Sequence, residues 1–182
     1  AQFGKLDDAG SLFSRMNAAF SGLSQASVDP TLAVARLSAA SDLQSFFDEA
    51  KRLSGEIRNY RLESDSKINA NVTRVNEIIN ELYELKSSVQ SLATTGGDTS
   101  GAENRQSELL DELSQYMDVR SDYQPDGRVV VRTGDGVLLL DNYPARLSYD
   151  AGGTGAYGID YGNIFVQPPN GGTAQQLDSH IT

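Results

Sequence analysis

A chain of 182 residues without cysteine cannot form a disulfide, a thiolate metal site or a thiol nucleophile. Its formal charge of -10 is spread along the chain and argues against nucleic acid or an anionic membrane as the main partner, because both demand a basic face. No apolar run approaches the roughly 18 residues of a membrane span, and a hydrophobic fraction of 38% suits an elongated protein better than a compact enzyme.

Leu12, Phe13, Met16, Ala19, Phe20 and Leu23 share one helical face, which predicts a short helix over residues 11–24 started by Asp7, Asp8 or Ser11. Asp29-Pro30 then reads as an N-cap followed by proline at the first helical position, where its missing N–H does no harm. A long helix is expected from there to Leu92, on the order of 90 Å at 1.5 Å per residue. Its apolar track passes through Leu43, Phe46/Phe47, Ala50, Leu53, Ile57 and Tyr60. In its second half Ile68, Val75, Leu82 and Val89 recur every seven residues, with Asn71, Ile78, Leu85 and Leu92 recurring beside them. These eight positions form the predicted helix-packing seam, and a seam kept at 3.5 residues per turn must meet a partner. Asn71 is its polar member, of the kind that fixes register.

Residues 94–101 hold three glycines and no apolar side chain, so they read as a loop. The helical pattern returns over 102–116. A helix after a short loop folds back antiparallel, which makes Leu109, Leu113 and Tyr116 the candidates to cover Leu82, Leu85 and Val89. After Met117 the period changes to alternation, with turns at Asp126-Gly127 and Gly134-Asp135-Gly136. Strands are expected at 119–123, 128–133, 137–140, 145–149 and 163–166. The fold class is therefore α+β: an elongated helical bundle built on one long amphipathic helix, then a glycine-rich antiparallel β-hairpin region. The expected division is a coiled-coil-like helical domain over 1–116 and a β-rich domain over 117–182 sharing little core with it. The chain stops within an apparent strand or turn and reads as truncated at its C-terminal end.

No catalytic residue, cofactor or metal is expected. His180, the only histidine, has no nucleophile constellation beside it, and the aspartates at the turns lack the dense ligand series of a calcium loop. Tyr157 and Tyr161, among glycines, are candidates for surface recognition; the plainer reading is that the tyrosines cap a small sheet.

The order of these elements resembles the FlgK-type hook-associated proteins of the bacterial flagellum. The likeness is carried by Ser11-Leu12-Phe13 through Leu23, by Asp29-Pro30 with Ala35-Arg36-Leu37, by Phe46-Phe47 before the long helix, and by Val75 through Leu82. It continues in Asn104-Arg105 through Ser114 with Asp118-Val119, and in the hairpins at Asp126-Gly127 and Gly136-Val137-Leu138-Leu139. The resemblance implies a secreted, extracellular structural protein, sent out by flagellar type III export and joining hook to filament. Its implied partners are the hook protein, a second junction protein and neighbouring copies of itself. The family's terminal helices are missing from this chain, so part of the seam is expected bare and a weak homodimer of the fragment is expected. The alternative function is a secreted binding module whose Tyr/Gly-rich β region recognises glycan or protein on a helical stalk.

Overall fold

The computed structural model describes residues 10–124, 128–152, 154–155, 158–159 and 162–177. Tyr157, Tyr161, His180 and the Asp126-Gly127 turn lie outside the described residues. The fold is α+β, a helical bundle with antiparallel sheets, and the chain divides into two compact units, Ala1–Glu63 and Ser64–Thr182.

The first unit holds helix α1 (Leu12–Val28) and the first part of helix α2 (Ala33–Thr95). Ser11 caps α1, its hydroxyl accepting from the Ser14 N–H at 3.2 Å. Asp29 does not cap the second helix as expected. Its carboxylate instead accepts from the Thr31 N–H at 3.0 Å and the Thr31 hydroxyl at 2.6 Å. Such an Asx turn uses the side chain within the link, and α2 starts only at Ala33. The two helices approach through small residues. Ala19 and Ala39 are buried, and a Cβ on Gly22 would stand 3.2 Å from the Ala39 Cα. The bulky neighbours Phe13, Phe20 and Phe47 stay exposed.

The second unit contains α2 from Ser64, helix α3 (Ser100–Ser114) and the strands. Gly96, at φ 70°, ends α2, and the Gly97 N–H donates to the Leu92 carbonyl at 2.9 Å, as in a Schellman stop. Strands β1 (Val119–Tyr123), β2 (Val129–Thr133) and β3 (Leu138–Leu140) form one antiparallel sheet in that order. A second sheet is built from β4 (Arg146–Asp150), β7 (Asn163–Gln167) and β8 (Gln175–Gln176), with β4 and β8 at its edges. Between them β5 (Thr154–Gly155) pairs with β6 (Gly158–Ile159).

One hydrophobic core serves this unit. It joins Val72, Val75, Ile78, Ile79 and Leu82 of α2 and Leu109, Leu110 and Leu113 of α3 to Val129, Val131, Leu139, Leu140, Leu147 and Val166 of the sheets. The expected core boundary at 116/117 is thus not one. Helix and strand residues on either side of it bury the same apolar surface, because neither has enough of its own.

The burial pattern also changes the seam. Val75, Ile78, Leu82 and Val89 are buried; Ile68, Leu85 and Leu92 are half-buried. Asn71 is exposed, while the unpredicted Val72 and Ile79 are buried. The reason is the extent of the cover. Glu112 of α3 meets Arg74, and α3 ends at Ser114, so Asn71 lies about where that cover stops. The inner face is an apolar arc of roughly 100° or more, wider than a two-track coiled-coil seam, because α3 and the sheets pack on it side by side.

Replacement of fully buried Leu82 by alanine should cost about 2–5 kcal/mol through lost transfer energy and a residual cavity. Asn71→Ala should stay within about 0.5 kcal/mol. Urea unfolding of the two variants checks the contrast, and equal losses would contradict this placement of the face.

Candidate functional site: the packed face of the long helix

At 100° per residue the positions of α2 fall in order around its axis. Arg74 and Glu81 mark the rim towards α3. Ile78, then Val75, Leu82 and Val89, then Val72 and Ile79 make the apolar arc. Asn76 and Asp65 mark the rim towards the sheets.

The α3 rim is charged. Arg74 makes a two-pronged contact with Glu112, Nε to Oε1 at 2.7 Å and Nη2 to Oε2 at 2.8 Å, and its Nη1 also meets Glu77 and Glu81. Glu81 in turn accepts from Arg105, which also reaches Glu108. Arg74 pairs with Glu112 and Glu81 with Arg105, so seven residues up α2 match seven down α3 and the helices are antiparallel. This register puts Leu109 and Leu113 opposite the stretch from Val72 to Ile78. Tyr116 lines a crevice with Ile68, Val72 and Val75. The expected cover over Leu82, Leu85 and Val89 is therefore displaced towards the start of the seam, where valine and isoleucine are densest. Gln106 is buried within this interface, and its Nε2 has no hydrogen-bond partner among the described residues.

The sheet rim is neutral or singly charged. Asn76 bonds the Leu147 main chain twice and the Tyr149 hydroxyl donates to Asp65 at 2.6 Å, while buried Lys86, which falls within the arc between Val75 and Ile79, donates to the Asp141 carbonyl at 3.1 Å. Lys86 also stands 5.9 Å from the centre of the Tyr83 ring. A crevice of about 520 Å³ opens beside Asn76, lined by Thr73, Glu77, Asn80 and Arg146. Asn76, Lys86 and Gln106 were not singled out from sequence. Val72 and Ile79 carried a readable signal, since 68, 72, 75, 79, 82, 86 and 89 alternate spacings of four and three.

In the first unit the surface differs. Phe13, Phe20 and Leu23 of α1 and Val34, Leu37, Phe47 and Leu62 of α2 are exposed, and an apolar groove lined by Val28, Leu32 and Val34 lies at the link between the helices. The bare apolar area expected on the seam thus lies upstream of it. Among the described residues no group of three or more His, Cys, Asp or Glu could hold a metal ion, and no helix is long and apolar enough to cross a membrane.

The hydrogen bonds from Arg74 hold the Glu112 carboxyl below its ordinary value, with charge attraction from Arg74 and Arg105 adding to the effect and desolvation opposing it. A depressed folded-state pKa gives stability that is present above the ordinary value of 4.5 and lost as pH falls through the lower one. Glu112→Gln should therefore melt lower than the parent chain near neutral pH. Its melting temperature should also fall less steeply from about pH 5 to about pH 3. Parallel pH slopes in thermal melts would contradict a role for this carboxylate in acid stability.

Comparison with known proteins bears on the whole arrangement. No curated protein matched this sequence. Among solved structures, the flagellar hook junction protein FlgK from Burkholderia pseudomallei is similar at a TM-score of 0.81 and 18% identity, over 97% of this chain. The match spans 31% of that protein's chain, so it speaks for the fold. The family model of the flagellar hook-associated protein FlgK helical domain matches residues 3–181, and the chain belongs to that family.

Proposed function

We propose that the protein carrying this chain is an axial structural component of the bacterial flagellum that joins hook to filament and catalyses nothing. The observation that carries this reading is the family match over nearly the whole chain. The long helix supports it, because its apolar arc and charged rim are spent on packing within the chain, which suits a scaffold. The exposed apolar residues of the first unit support association, since patches of that kind mark interaction surfaces. The partners we propose are the hook protein, a second junction protein and neighbouring copies of the same chain. The site of action is extracellular, after flagellar export. A weak homodimer of this chain belongs to the same proposal, with its apolar contact moved from the seam to the first unit.

Electron microscopy of flagellated cells lacking the full-length gene product tests the reading. Hooks without attached filaments are expected, with restoration by the gene in trans. Normal filaments on such cells would overturn it.

A further inference from the structure

A single run of chain, residues 144–150, serves both sheets in turn. It leaves β3 by a tight turn, and Pro144 bridges Leu140 while the Ala145 N–H donates to the Leu139 carbonyl at 2.8 Å. From Arg146 it pairs with β7 instead, Leu147 standing opposite Val166. Main-chain groups alternate in direction along an antiparallel strand. Leu147 therefore points its N–H and carbonyl to the side that Ala145 gave to β3, away from β7. Beyond Ala145 that side has no strand among the described residues, for β4 is the edge of its sheet. Leu147 is 2% exposed, and unpaired main-chain groups at such a place are costly.

The side-chain amide of Asn76 fills the gap. Its Nδ2 donates to the Leu147 carbonyl at 2.9 Å, and its Oδ1 accepts from the Leu147 N–H at 2.8 Å. Among neutral side chains only an amide presents a donor and an acceptor fixed side by side like a peptide group. The two bonds also fix which way the amide faces, since the reversed amide would set donor against donor and acceptor against acceptor.

We propose that Asn76 is a positioning residue that stands in for a missing strand. It fixes the point at which residues 144–150 change partner from β3 to β7, and it locks the second sheet in register on α2. The neighbouring tethers agree with a register function. Asp65, Asn76 and Lys86, ascending α2, meet Tyr149, Leu147 and Asp141, descending the strand segment.

Amide hydrogen exchange on the 182-residue chain reads this directly. In the parent chain the Leu147 amide should be protected although it faces away from β7. In Asn76→Leu, which keeps the volume and loses both bonds, it should exchange about tenfold faster, as expected for the net loss of a buried hydrogen bond. Arg146 and Ser148, which face β7, should change far less. In Asn76→Asp the acceptor remains and the donor is lost, so the Leu147 amide should keep more protection than in the leucine variant. An unchanged Leu147 rate in Asn76→Leu would overturn the proposal. So would a uniform rise across β4, β7 and α2, which would make Asn76 an ordinary packing contact. If the leucine variant does not fold, Asn76→Ala, which also removes both bonds, takes its place: a faster Leu147 amide with Arg146 and Ser148 little changed is expected, and an unchanged Leu147 rate or a uniform rise overturns the proposal.

Discussion

Everything in the second unit depends on hiding the apolar arc of α2. A helix of this polarity has little stability of its own in water, so the arc from Val72 to Val89 must be covered for the helix to persist. Each fully buried leucine or isoleucine there stabilises the fold by about 1.5–3 kcal/mol relative to exposure. No single element of the chain is broad enough to cover the arc. Helix α3 takes one side with Leu109, Leu110 and Leu113, and the sheets take the other with Val129, Val131, Leu139 and Leu147. The β strands are thereby a wall of the same core, and their own inner residues are dry only because the helix is there.

Polar groups border the arc and differ on its two sides. Towards α3 the contacts are long, flexible ion pairs, each partly open to water, of a type that contributes little individually. Their value lies in matching charge to charge at one antiparallel register. Towards the sheets the contacts are fewer and go largely to main-chain atoms, at Leu147 and Asp141. Main-chain partners leave less freedom for a slip, because the peptide group cannot swing as an arginine can. The α3 side is also less fully satisfied among the described residues, where Gln106 Nε2 has no hydrogen-bond partner.

Much of this was legible in the sequence. The helix pattern of residues 68–92, the glycine stop after it, the helix over 100–114 and most of the strands follow from period and punctuation. The misses have physical causes. Asp29 looked like a cap, but the same side chain can close an Asx turn, and sequence does not rank the two. Asn71 matched the seven-residue repeat, yet burial depends on how far α3 extends, which is a tertiary fact. A core shared across residue 116 could not be read from a change of period, since periodicity reports which face is apolar and not what it packs against. Asn76 resembles any polar residue on a helix flank. Its role exists only because residue 147, far away in sequence, arrives beside it with two bare main-chain groups.

That separation has a consequence for the order of assembly. The Arg74–Glu112 contact closes 38 residues of chain, whereas the Asn76–Leu147 contact closes 71. The entropy of closing a loop grows only slowly with length, and the helical hairpin has in addition its local turn-by-turn hydrogen bonds to shorten the search. The α2–α3 hairpin is thus the natural nucleus, and the strands condense on a helix face that already exists. A chain emerging from synthesis with its N-terminus first would present that face before residues 138–166 were free to cover it. For that interval the apolar arc is open on its sheet side.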